Sequence, residues 1–272
     1  MKVKKLFIGN QKKFLLILLI LFIFCYCGKT LAAPIVVQGQ SETEMQFIAD
    51  QLEEMRTVNV GPFLFYEGLI SGKQVVVSKT LPGSANAAVA TYIAIEKYHP
   101  TLIINQGMAR GYVSNLNLYD IVVGEKLVNL NAFTTPMRAK GRGSNTMEWE
   151  PIQMSKDIKN GELVAIPSSV EAVDLAMSIK SEHKRGKVVK GIVASSDTEN
   201  NEYDRINMFA QKYGIVAEEQ EGFLVAQICN SLNTPFLSLR VVAANVINNL
   251  SLQAGAGVAS QAYVLKIIRF YK

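Results

Sequence analysis

The chain has 272 residues, 49% hydrophobic and 19% charged, with 19 Gly and 8 Pro spread along it. That suits one large α/β domain or two small ones, and excludes a disordered tail protein, a collagen and a disulfide-stapled miniprotein. The formal charge of +5 belongs to the N-terminus: residues 1–33 hold six lysines and no acid, leaving 22 basic against 23 acidic residues over the other 239, so no nucleic-acid partner is expected.

Met1–Lys13 is basic, and Phe14–Cys27 is an unbroken apolar run of 14 residues. A membrane span needs about 20 apolar residues, so this run is short for one. With Ala32–Ala33 just before Pro34, residues 1–33 read as a secretory signal peptide and residues 34–272 as the mature domain. The expected location is secreted or extracytoplasmic. An uncleaved N-terminal anchor is the alternative, with any membrane contact confined to this segment. Lipid attachment at Cys25 or Cys27 ranks lower, because neither follows a small-residue lipobox. After cleavage Cys229 is the remaining thiol; on an apolar helix it reads as a small buried hydrophobe.

Strand and helix patterns then alternate. Ile35–Val37 is a short strand, and Glu42–Met55 repeats apolar residues at helical spacing (Met45, Ile48, Ala49, Leu52, Met55). Phe63–Leu69 and Gln74–Ser78 flank Ser71–Gly72 as a hairpin. Ala85–Tyr98 is a helix stopped by Pro100; Leu102–Ile104 is a strand running into a turn at Gly107–Gly111, and Ile121–Val128 is another strand. Phe133–Pro151 reads as a long loop. Ser169 is placed to cap a helix over Val170–Ile179. Strand Val188–Ala194, helix Glu202–Tyr213, strand Ile215–Ala217, helix Phe223–Ser231, strand Phe236–Val242 and helix Gly257–Tyr271 complete the order. This alternation predicts one α/β domain, a three-layer α/β/α sandwich around a mixed twisted sheet, with Ile103, Ile104, Ile121, Val122, Val193, Leu237 and Leu239 in its core.

The chemistry is expected at the strand ends. The two histidines, His99 and His183, lie near helix ends, and no Cys/His cluster is present, so no metal or other cofactor is expected. No G-x-S-x-G elbow, Walker A sequence or G-x-G-x-x-G fingerprint occurs. Acids stand out instead. Glu42 and Glu218 read as helix N-terminal carboxylates favoured by the macrodipole. Glu44, Glu219 and Glu221 sit beside apolar residues at the mouths of buried strands, where an unpaired carboxylate is costly.

Four segments in order resemble the nucleoside phosphorylase superfamily, and within it the 5'-methylthioadenosine/S-adenosylhomocysteine nucleosidases: IVVQGQSETEM (Ile35–Met45), TLIINQGMARGY with LYDIVVG (Thr101–Gly124), SSDTENNEYDR (Ser195–Arg205), and AEEQEGFLVAQIC with PFLSLR (Ala217–Arg240). The resemblance implies a nucleoside phosphorylase-like fold and hydrolysis of an N-glycosidic bond through an oxocarbenium-like sugar. Such a reaction needs a base for water, acceptors for the ribose hydroxyls and a donor to the departing purine. By the resemblance, Glu44 is the water-activating base and Glu221 the ribose acceptor, with Glu219 its companion. Thr80 is a hydroxyl near ribose and water, and Gly107, Asp197, Glu199 and Gln220 lie against the substrate. The expected partner is a small purine nucleoside such as methylthioadenosine or S-adenosylhomocysteine, and the chain is expected to form a homo-oligomer.

Departures from the family pattern carry expectations of their own. Ala244 stands where the family has its purine-protonating Asp, and Asn245 is the nearest amide. Glu199 replaces a stacking aromatic, Gln220 a Met and Met108 a Ser. An amide can hydrogen-bond a purine edge without transferring a proton. As a ligand of the base, Asn245 favours 6-oxopurine nucleosides or slow hydrolysis of adenosine types; the other reading makes it the cap of a turn. Asn105 stands where phosphorylases of the superfamily carry an Arg, which favours water over phosphate. A purine nucleosidase is therefore the first reading, against a catalytically degenerate nucleoside-binding or storage-type relative and a phosphate-dependent phosphorylase.

Overall fold

Strand β1 (Ile35–Gly39) runs parallel to both β4 (Lys73–Lys79) and β5 (Leu102–Gly111), and this trio is the middle of the sheet. The computed structural model describes residues 32–152 and 161–272. The segment expected to act as a signal peptide, residues 1–33, falls up to residue 31 outside the described residues. Ala33–Lys272 folds as one compact unit.

On one side of β5 lies β12 (Phe236–Asn245), parallel to it; then β6 (Ile121–Asn129), antiparallel to β12; then β10 (Val188–Ser195) and β11 (Ile215–Glu219), both parallel to β6. Beyond β4 the chain folds back as β3 (Phe63–Ile70) and β2 (Glu53–Val60), both antiparallel. The end of β11 also meets β5 in antiparallel register, Ala217 opposite Gly111 and Glu218 opposite Arg110. This second pairing curls the sheet so that the end of β11 faces the end of β5.

Alternate residues of the central strands feed two apolar layers. Val37, Ile104 and Leu239 pack on α1 (Glu42–Ala49), α3 (Val170–Ser178) and α6 (Gly257–Phe270). Val36, Ile103 and Val122 pack on α2 (Ser84–Tyr98) and α5 (Gly222–Ser231). A smaller cluster covers β11 with α4 (Tyr203–Tyr213). All seven residues expected in the core are fully buried, as is Cys229, whose thiol burial pushes up to about 12. The order is the expected α/β/α arrangement around a mixed sheet.

Three local expectations need correction. The helix read over Glu42–Met55 ends at Ala49, and Glu53–Val60 is the edge strand β2. Leu52 and Met55 continue the helical spacing by coincidence: Met55 is half exposed, and Thr57-Val58-Asn59-Val60 is a β-branched run that pairs with β3. The turn expected at Gly107–Gly111 is the second half of β5, held straight by pairing with β12. The loop over Phe133–Pro151 contains a short ladder, β7 (Phe133–Thr134) with β8 (Glu150–Pro151), and β9 (Ala165–Pro167) adds to β6. The hairpin turn is as read, with Ser71 and Gly72 both at positive φ, the pairing that a two-residue turn needs. Ser169 holds the capping position of α3 without a side-chain bond to it.

Candidate active site

The parallel strands β1, β4, β5 and β12 border one place, and polar side chains enter it from just past β1 (Glu44) and β4 (Thr80) and from within β5 (Asn105) and β12 (Arg240). Glu44 rises from the first turn of α1, just past β1, and is 2% exposed. Its Oε1 accepts the Met108 amide of β5 at 2.8 Å, and its Oε2 the Gln40 amide at 3.2 Å. Burial raises its pKa above the usual carboxylate range, against the lowering by those amides and by Arg240. Gly107 makes the approach possible: a Cβ there would lie 2.8 Å from Glu44 Oε1 and 3.0 Å from Arg240 Nη1.

Glu221 stands at the start of α5, 3% exposed, with Thr80 Oγ1 and Asn105 Nδ2 each 3.5 Å from one of its oxygens. Burial pushes its carboxyl up to about 8, opposed by Arg240 and reinforced by the charge of Glu44. Glu219, two residues earlier, is committed to the framework. It accepts the amides of Glu221 at 2.8 Å and Gly222 at 2.9 Å and the Ser195 hydroxyl, and it pairs with Arg240 Nη2 at 2.8 Å. Arg240 also donates to the Asn105 side-chain carbonyl. Glu44, Thr80, Glu219 and Glu221 thus meet around Arg240 and Asn105, although 177 positions separate the first from the last.

A cavity of about 160 Å³ adjoins this cluster through Met108 and Glu219, which line it together with Arg110, Glu199, Glu218 and Gln220. Arg110 lies across it, bonded to Glu199 at 2.9 Å and to the Asn201 side chain at 2.8 Å. Glu218 is a correction: it sits in β11, not at a helix N-terminus, and is 5% exposed. Its carboxyl bonds the Tyr112 hydroxyl and accepts Asn200 Nδ2 at 2.8 Å, while Arg205 Nε holds Asn200 Oδ1 at 2.9 Å. The signal that could have found it is two successive acids at the end of an apolar strand, since adjacent strand residues face opposite ways and one must enter a pocket or a core.

Two expected substrate contacts lie elsewhere. Asn245 is fully buried with its amide consumed: Nδ2 donates to the Val113 and Leu116 carbonyls at 3.0 and 2.8 Å, and Oδ1 accepts the Asn248 amide at 3.2 Å. The amide is engaged as the turn-cap reading has it, and the 6-oxopurine preference built on Asn245 finds no free amide here. Asp197 spends its carboxylate on Ser84, whose hydroxyl is at 2.8 Å, and on Asn131 Nδ2 at 3.3 Å. It ties the loop after β10 to the start of α2 and does not line the cavity. Arg240, Asn105, Tyr112 and Asn200 complete the polar framework; none was an expected site residue, because each is defined by a partner distant in sequence.

The 5'-methylthioadenosine/S-adenosylhomocysteine nucleosidase of Bacillus cereus (strain G9842) is 27% identical over 248 residues, covering 88% of this chain and 99% of that protein. The enzyme of the same name from Bacillus cytotoxicus is equally similar. Among solved structures, the Neisseria meningitidis nucleosidase in complex with methylthio-immucillin-A has a TM-score of 0.72 at 23% identity, over 87% of this chain and 99% of that one. The Streptococcus pyogenes S-adenosylhomocysteine nucleosidase in complex with 5-methylthiotubericidin reaches 0.74 at 17% identity, over 90% and 100%. The family model described as the phosphorylase superfamily matches residues 34–267, nearly the whole of the folded unit, and the chain belongs to that superfamily.

Proposed function

We propose that the chain is a purine nucleosidase, hydrolysing the bond between a purine base and its ribose. The observation that carries this reading is the meeting of two almost sealed carboxyls, Glu44 and Glu221, around Arg240. An oxocarbenium-like sugar develops positive charge at C1', which favours the ionised form of the buried carboxyls Glu44 and Glu221 beside it, so they stabilise the transition state more than the ground state. Glu44, aimed by the Met108 and Gln40 amides, takes a proton from the attacking water. Glu221, with Thr80 and Asn105 beside it, accepts the ribose hydroxyls. Arg240 and Glu219 hold this constellation through their ion pair and the start of α5.

Water rather than phosphate suits the charges. A phosphate needs an Arg fork or several free N–H groups. Here Arg240 is engaged by Glu219 and Asn105, and Arg110 by Glu199 and Asn201. An incoming dianion would instead meet Glu44 and Glu221. The relatives named for methylthioadenosine and S-adenosylhomocysteine support a purine nucleoside with a 5'-substituent as substrate.

Two further parts of the proposal concern where the chain works and in what company. The basic and apolar segment of residues 1–33 directs it out of the cytoplasm, and fractionation that finds full-length protein in the cytosol would refute this. Exposed Val89 and Tyr92 on α2 support assembly into a homo-oligomer, checked by sedimentation.

The test of the activity is a panel of purine nucleosides incubated with and without phosphate, with detection of free base. Base release independent of phosphate is expected, and Glu44→Gln abolishes turnover while nucleoside still binds. Turnover that requires phosphate makes the chain a phosphorylase. Binding without turnover in the wild-type protein leaves the nucleoside-binding reading.

A further inference from the structure

A purine is a poor leaving group as an anion, so its departure is assisted by an acid that protonates a ring nitrogen. The groups at the cavity narrow the choice of that acid. Arg110 is held by Glu199, which is largely exposed at the rim. Glu219 is spent on Arg240 and the start of α5. Ala243 lines the cavity with a methyl group, and the Asn245 amide is locked into its turn. Glu218 remains. It reaches the cavity from β11, just before Glu219 and Gln220 in the chain, and its backbone is fixed by pairing with Arg110.

We infer that Glu218 is the general acid of the reaction, donating its carboxyl proton to a ring nitrogen of the departing purine. This inference rests on the nucleosidase reading and supplies the residue that reading lacks. Tyr112 and Asn200 hold the carboxyl in place, and the Tyr112 hydroxyl can donate to it or accept from it, so the support survives a change in protonation. Burial pushes the Glu218 carboxyl up to about 8, and the charge of Glu219 adds to the rise. Arg110 opposes it, and the Asn200 bond does too; Arg205 stands behind Asn200 and Glu199 beyond Arg110. The group is thus a neutral acid near neutrality, the state the role requires.

The proton and electron balance is complete. The C1'–N bond breaks and its electron pair goes to the base, which takes the proton of Glu218. Water bonds to C1' and gives a proton to Glu44. Glu44 then returns that proton to solvent, and Glu218 is recharged from solvent. The net reaction is nucleoside plus water to ribose product plus free base.

The test compares wild type with Glu218→Gln on purine nucleosides and on 4-nitrophenyl riboside, whose leaving group departs unaided. Gln keeps the shape and both side-chain bonds but has no proton to give. The expected loss is about 10²–10⁴-fold on the nucleosides and under about tenfold on the nitrophenyl riboside. The alkaline fall in the wild-type rate on nucleosides, centred near 8, should vanish in the variant. An unchanged rate on nucleosides, or an equal loss on both substrates, overturns the inference. If wild type does not cleave the nitrophenyl riboside, the pH profile decides, and an alkaline limb that persists in the variant overturns it. A wild type that releases base from no nucleoside refutes the nucleosidase reading itself, and this inference with it.

Discussion

Arg240, from the middle of β12, and Glu219, at the end of β11, face each other at 2.8 Å with their side chains only 2% and 3% exposed. A pair buried this deeply is held by its geometry. Glu219 also anchors the first amides of α5, and Arg240 reaches across to Asn105. Removing one partner strands the other's charge in a dry environment.

Arg240→Met should therefore destabilise the fold by about 3–5 kcal/mol, measured by urea unfolding. A loss below about 1 kcal/mol would mean that Glu219 is reached by water or by another cation.

Gly107→Ala places a methyl group against Glu44 Oε1 and Arg240 Nη1, at 2.8 and 3.0 Å. Displacing the base of the reaction by a fraction of an ångström to one ångström should lower kcat by about tenfold to a hundredfold. Thermal unfolding distinguishes this from collapse of the protein. Wild-type turnover in a folded variant would count against Glu44 as the base.

Asn245→Ala removes two donated bonds and one accepted bond from a buried turn, leaving the carbonyls of Val113 and Leu116 without that partner. A stability loss of about 1–3 kcal/mol is expected, with the order of preference among purine nucleosides unchanged. A selective change between 6-oxo and 6-amino purines would restore Asn245 as a ligand of the base.

Burial raises the carboxyl pKa values of Glu44, Glu218 and Glu221, the last two to about 8. In this window the folded state holds protons that the unfolded state has already released above about 4.5, so stability falls as pH rises from about 4.5 to about 8 and then levels. Glu221→Gln, which carries no titrating proton, should flatten that fall in Tm. An identical pH dependence in the variant would show that Glu221 ionises normally in the fold.

The alternation of β-branched runs with amphipathic stretches was readable residue by residue, and so were the α/β class, the buried core and the acids at the strand ends. The periodicity of side chains along a strand or helix is a local property of the chain. Where local signals overlapped, the reading failed: helical spacing ran on into β2, and the glycines of β5 looked like a turn until pairing with β12 showed them to be strand. Sequence order also placed Glu44, Glu219 and Glu221 correctly as exceptions to ordinary burial. It did not say which partner each would have. Arg240 meets Asn105 across 135 positions, and Glu218 meets Tyr112 across 106, because strands distant in the chain are neighbours in the sheet and β11 turns back onto β5. Whether Glu218 caps a helix or enters a cavity, and whether Asn245 touches a ligand or closes a turn, depends on those long-range neighbours. Local chemistry decided what the residues can do, and the tertiary pairing decided which of them stand together in a site dry enough to do it.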